Sequence, residues 1–284
     1  MDEVVEAHKK EYGEAPDVVA VAPGRFHLIG EHSWFFKDKT LSMAVNLPVY
    51  VAVSRRDDSN LRFRFVQLDD SKRASLSSLK FRKEDKWANA VKSVISGFSS
   101  GGFDCCGMNV TVYSDIQPSA CFGITTAIKI ASAWAIKELC HFRCRRVELL
   151  QVIERANKLY YGIANLKADN FTPIYSKEGC VVLTDYSRNE CEAVPFKFKD
   201  KTIILTDARV PRITTWNEEA CSSRKTPCYW ASCGKPGRTY SGAGATRKTR
   251  QSGTKSCPSW TRTPAAASCA SSRSTSAFWT PMPG

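Results

Sequence analysis

"APGRFHLIGEHSWFF", residues 22–36, joins two unlike compositions at Ser33. Up to His32 it is dense in residues with special backbone or chemistry: a Pro23-Gly24 turn, Arg25, His27, then Gly30-Glu31-His32. From Trp34 it turns bulky and aromatic, Trp34-Phe35-Phe36, where small polar groups would be expected after a Glu-His pair. The first part reads as an active-site segment. The second departs from that pattern.

Working outward, residues 2–12 form an amphipathic pattern that stops at Gly13, predicting a short helix. "VVAVAP" (18–23) and "LSMAVNLPVYVAVS" (41–54) predict strands. "LRFRFVQL" (61–68) alternates Leu61, Phe63 and Phe65 with arginines, the period of a half-buried strand. "KWANAVKSVISGF" (86–98) predicts a helix closed by Gly101-Gly102, and "MNVTVYSD" (108–115) a strand. A long helix follows from about Thr125 to Cys140, with Ile124, Ile128, Ala131, Ala135 and Leu139 on one stripe. "RVELLQVIERANKLYYGI" (146–163) predicts another helix, and "CVVLTDY" (180–186) and "TIILTDA" (202–208) two more strands. Strands, then helices, then strands again indicate an α+β fold with a two-layer body. The charge runs "SRRDD" (54–58) and "KFRKEDK" (80–86) read as solvated loops.

The formal charge of +13 taken alone would suggest an anionic partner, but its location argues otherwise. Residues 220–284 contain no Asp or Glu and ten of the 41 Lys and Arg, so residues 1–219 hold 31 basic against all 28 acidic residues. The same tail has no Leu, Ile or Val, too little apolar surface to offset chain entropy, and is expected to be disordered. With no repeat and no Arg-Gly run, it reads as out-of-frame translation from near codon 220 rather than as a nucleic-acid-binding arm. The N-terminus is charged from its second residue, no apolar run approaches a membrane span, and no Cys pair forms a C-x-x-C. A cytoplasmic protein with reduced thiols, acting as a monomer with no membrane partner, is expected. "CHFRC" (140–144) spaces two thiols around His141, but with no second pair it reads as ordinary thiols rather than a zinc site.

"SDIQPSACFGITTAIKIASA" (114–133) runs strand, loop with Pro118 and Gly123, then a helix opening on Thr125-Thr126. A helix N-terminus offers N–H groups and the positive dipole end, which suit phosphate, and two hydroxyls suit a phosphate or Mg²⁺. On this segment alone a Thr N-cap of a buried helix is the better reading.

Taken together, the opening segment, the strand–loop–helix and the element order resemble the GHMP small-molecule kinases, galactokinases most closely. "APGRFHLIGEHS" is similar to the galactokinase signature, A-P-G-R, two variable positions, L-I-G-E-H and a Thr, matching at nine of twelve positions. In the phosphate loop Pro118 and Ala127 keep the family spacing and Thr125-Thr126 replace two Ser. The family's glycines fall on Ala120, Phe122 and Ile124, and Gly123 is one step out of place. "KADNFTPIYSKEG" (167–179) resembles the stretch around the family's catalytic Asp and aligns it with Asp169. The resemblance covers roughly 16–218, and the family's third, Gly-rich motif has no counterpart in the tail.

The resemblance implies ATP-dependent phosphorylation of a sugar at its anomeric hydroxyl, with Mg²⁺. Asp169 would take or orient the hydroxyl proton, and Arg25 would stabilise that carboxylate and the transferring phosphoryl group. Glu31 and His32 would bind sugar hydroxyls. Pro118, Gly123, Thr125 and Thr126 would cradle ATP, the two threonines also serving the metal. Trp34 stands where galactokinases have a sugar-binding Asp, so a different sugar or a flatter ligand stacked on the indole is expected. Phe122 and Ile124 are expected to strain the phosphate loop. Both changes, with the missing C-terminal third, predict impaired or lost activity, the alternative being a non-catalytic sugar- or nucleotide-binding protein. The implied domains are 1–165, an incomplete second domain at 166–219, and the tail at 220–284.

Overall fold

The computed structural model describes residues 1–31, 33–117, 122–162, 167–197 and 203–205. All fall in one unit, Met1–Pro236; the tail from residue 220 lies outside the described residues. The chain opens on α1 (Asp2–Tyr12), closed at Gly13, whose φ of 78° is the left-handed cap that glycine supplies without a Cβ penalty. The central pair is β1 (Val18–Ile29) and β2 (Lys39–Arg56), antiparallel from Val18 opposite Val53 to Ile29 opposite Leu41. β2 then pairs with β5 (Gly107–Ser114) through residues 49–56 and with β6 (Cys180–Asp185) through 39–42. β3 (Asn60–Phe65) runs parallel to β5, β4 (Asp70–Ser75) closes one edge, and β7 (Glu190–Pro195) the other. Seven strands thus form one sheet with order β4-β3-β5-β2-β6-β7, and β1 attached to β2. This is the expected α+β architecture.

The two faces differ because strand side chains alternate. Val49, Val51, Val53, Leu61, Phe63, Phe65, Met108, Val110 and Val112 share one face and are fully or almost fully buried. Over this side lie α2 (Ala88–Ser99), α3 (Ile124–Leu139) and α4 (Arg146–Tyr161), α3 directly against β1 and β2. The stripe Ile124, Ile128, Ala131, Ala135 and Leu139 is buried as its spacing predicts. The opposite face carries Ser54, Asn109 and Thr111, and α1 covers it with buried Val4 and His8.

Several expectations change. Pro23-Gly24 is not a turn ending a strand. It is a register irregularity inside β1, which continues to Ile29. Its Gly24 lets three neighbours close in: a Cβ there would stand 2.9 Å from Ile116 Cδ1 and Val45 Cγ2, and 3.0 Å from the Phe122 carbonyl oxygen. "SRRDD" begins inside β2, with Ser54 buried, rather than in a loop. In "KFRKEDK", Asp85 turns inward to accept a hydrogen bond from the buried Lys92 ammonium at 2.5 Å. Residues 203–205 of "TIILTDA" are not strand, and the rest lies outside the described residues. β4, β7 and α5 (Lys167–Tyr175) carry weak patterns: "DSKRAS" has one apolar residue, and α5 contains Pro173.

Candidate active site

β1 and α5 meet at Asp169. Arg25 and His27 are two apart on a strand, so both present the same face. Asp169 sits in the first turn of α5, which is held by buried Ala168, Phe171 and Ile174 and packs on β1, β2 and β6. Arg25 Nε lies 2.6 Å from Asp169 Oδ1. Nε is off the hydrogen-bonding direction, so this contact is an ion pair between charges rather than an aligned hydrogen bond. His27 Nε2 lies 2.8 Å from the same oxygen. An ionised carboxylate only accepts, so the proton of this bond is on Nε2. In the neutral imidazole Nδ1 then accepts from the Ser42 hydroxyl, 2.6 Å away and directly across the β1–β2 ladder. Three elements therefore orient one carboxylate.

The pair is nearly enclosed, with side-chain exposures of 16% for Arg25 and 14% for Asp169. Burial pushes the Asp169 carboxyl up, but the Arg25 charge and the His27 hydrogen bond more than reverse this and hold it below the ordinary carboxylate range. The group is ionised at neutral pH.

The start of α3 is fastened to the same spot. The Arg25 backbone N–H donates to the Phe122 carbonyl at 2.8 Å, and a Cβ on Gly123 would stand 3.1 Å from Arg25 Cγ. Gly123 is the N-cap, at φ 73°, and among the described residues no side chain caps the helix. The expected Thr cap is therefore replaced by a glycine, with Thr125 and Thr126 half-buried in the first turn. The expected strain at Phe122 and Ile124 is also absent. The left-handed backbone falls on Gly123, and neither neighbour has positive φ. An uncapped helix N-terminus behind a left-handed glycine fits a phosphate, and two hydroxyls in its first turn fit a hard cation.

Of the other anticipated residues, Glu31 stands exposed in the turn after β1, beyond Gly30. His32, Pro118 and the side chain of Trp34 lie outside the described residues. Two residues were given no role by the sequence. His27 occupies a variable position of the signature, although strand alternation from Arg25 points straight to it. Lys129, buried in α3, donates to Asn157 Oδ1 at 2.6 Å and lies 4.2 Å from the Tyr161 ring centroid. Burial pulls its ammonium down to about 8, against the opposing charge of Asp169. No sequence signal marks a lysine on a helix as buried.

Residues 6–55 match the family model described as the galactokinase galactose-binding signature. A protein of Treponema pallidum (strain Nichols), named provisionally as a galactokinase, is 38% identical over 218 residues, covering 77% of this chain and 55% of that one. The galactokinase of Thermotoga maritima (strain ATCC 43589 / DSM 3109 / JCM 10099 / NBRC 100826 / MSB8) is 27% identical over 189 residues, 66% of this chain and 52% of its own length. This chain spans about half the length of the curated relatives it matches. Among solved structures, Lactococcus lactis galactokinase complexed with galactose superposes with a TM-score of 0.63 at 18% identity, over 73% of this chain and 57% of that one. Methanococcus jannaschii mevalonate kinase gives 0.51 at 16% identity, over 64% and 56%. Signature, relatives and fold together support a GHMP-kinase, galactokinase-like protein.

Proposed function

We propose that this chain is a sugar kinase, transferring the γ-phosphoryl group of ATP to the anomeric hydroxyl of a monosaccharide. The observation that carries the reading is the ionised Asp169, paired with Arg25 and His27 beside the uncapped start of α3. Phosphoryl transfer needs positioning and charge stabilisation more than covalent help from the protein. Mg²⁺-ATP supplies the phosphoryl group and, through the metal, neutralises much of its charge. Asp169 accepts the hydrogen bond of the sugar hydroxyl and aims its oxygen. Arg25 keeps that carboxylate charged and adds positive charge where the phosphoryl group passes. His27 fixes the carboxylate's orientation from the other side. The first turn of α3, with Thr125 and Thr126, holds the phosphates and the cation, and Glu31 and His32 hold sugar hydroxyls. Trp34, in place of an acceptor, favours a sugar other than galactose or one presenting an apolar ring face.

The test is release of ADP from Mg²⁺-ATP across a panel of aldohexoses, galactose included. Slow turnover is expected, since Trp34 stands in place of a sugar-binding acceptor, and Asp169→Asn should lower kcat by about 10²-fold or more while ATP still binds. Sugar-dependent thermal stabilisation of the wild type with no ADP release would instead establish the non-catalytic binding protein.

A further inference from the structure

Away from the Asp169 site, two cysteines 34 positions apart in sequence meet. Cys106 precedes β5 and Cys140 ends α3, and their sulfurs are 3.6 Å apart. A disulfide has about 2.05 Å between sulfurs, so closure needs roughly 1.5 Å of movement from residues at the ends of elements. Both thiols are partly exposed. A cleft of about 490 Å³ lined by Asp17, Arg55, Leu139 and His141, among others, runs alongside the last turn of α3.

The surroundings set the two thiols apart. Either thiol can donate in this contact; once Cys106 is ionised the Cys140 S–H donates to it, and this together with the Arg55 charge outweighs burial and holds the Cys106 thiol below its usual range. Cys140 moves the other way: it is held protonated by an ionised Cys106, it is desolvated, and it sits at the negative end of a 16-residue helix. Adjacent Cys105 is a bystander, pushed up to about 12 by burial. An attacking thiol and a resolving thiol within reach of each other, with one inert neighbour, is an arrangement that the proposed phosphoryl transfer does not use.

We propose that Cys106 and Cys140 are a thiol–disulfide exchange site whose substrates are low-molecular-weight disulfides. The Cys106 thiolate attacks one sulfur of R–S–S–R, forming Cys106–S–S–R and expelling RS⁻, which takes up a proton. Cys140 then loses its proton to solvent and attacks the Cys106 sulfur, forming the Cys106–Cys140 bond and expelling the second RS⁻. Two protein thiols are oxidised and one small disulfide is reduced to two thiols. The product ties the start of β5 to the last turn of α3, the helix whose first turn adjoins Arg25.

The full chain incubated with oxidised glutathione, quenched in acid, alkylated and mapped by peptide mass spectrometry tests this. The peptide containing Cys106 should be linked to the one containing Cys140. Cys105→Ser should keep the link and Cys106→Ser abolish it, while Cys140→Ser should accumulate glutathione on Cys106. In the unsubstituted chain, which guards against a misfolded variant, iodoacetamide should modify Cys106 at neutral pH at least tenfold faster than Cys105. A link that survives Cys106→Ser, or equal alkylation of Cys105 and Cys106 with no link formed, overturns the proposal.

Discussion

Asp169 keeps its charge in a nearly closed site because two neighbours outweigh desolvation, and their contributions can be separated. Arg25 acts as a full charge and His27 as a hydrogen-bond donor, with the Arg25 charge the larger of the two lowering influences. Removing either raises the carboxyl, so the acid limb of a pH–rate profile moves to higher pH. The shift should be larger for Arg25→Ala than for His27→Ala, and larger for His27→Ala than for Ser42→Ala, which leaves the His27–Asp169 bond in place. Carbon-13 NMR titration of Asp169 gives the same ordering without turnover, and an unmoved Asp169 in Arg25→Ala would refute it. Arg25 and Asp169 were legible in the sequence because both stand on family motifs. His27 was not, because its importance lies in facing residue 169 from 142 positions away.

α3 depends on a single glycine for its junction with the β1 strand. At φ 73° an alanine costs about 1–2 kcal/mol in backbone conformation, and its methyl would press on the Arg25 side chain from 3.1 Å. Gly123→Ala should therefore lower the unfolding free energy by about that amount. It should also weaken nucleotide binding several-fold by displacing the first turn, as isothermal titration would show. A Gly123→Ala chain of unchanged stability and affinity would mean that this junction is not strained. α3's buried stripe was readable from its period of 3.6, and so was that of α4. The phosphate-loop strain anticipated at Phe122 and Ile124 did not arise, because the chain places its left-handed turn on the one residue that tolerates it.

For the whole molecule, the side of the sheet away from α2–α4 adds its own response to acid. His8 of α1 is fully buried between Thr111 and Ser54, at 2.9 and 3.0 Å. Burial lowers it from 6.5 to about 4, against the pull of Glu14 and Asp17. The unfolded chain thus binds a proton near pH 6.5 that the folded chain refuses until about pH 4. The stability is complete above 6.5 and is lost as pH falls towards 4, roughly 3 kcal/mol in all. Glu14, lowered chiefly by the Ser54 hydrogen bond, adds a loss of the same sign at the lower end of the range. Urea unfolding should show a slope of one proton between pH 6 and pH 5, and His8→Gln should flatten it. A slope unchanged in His8→Gln would assign the transition elsewhere.

The sequence by itself determined the periodic elements, the α+β class, the kinase-family signature and the sharp change of composition near residue 220, because each of these is written in neighbouring residues. Only the tertiary structure decided that Pro23-Gly24 is a kink inside a strand, that His27 shares Asp169 with Arg25, that His8 and Lys129 are buried, and that Cys106 faces Cys140. Those are contacts between segments far apart in the chain. They exist only once the sheet's register brings the segments together, and no local pattern of residue types encodes which side chains then meet.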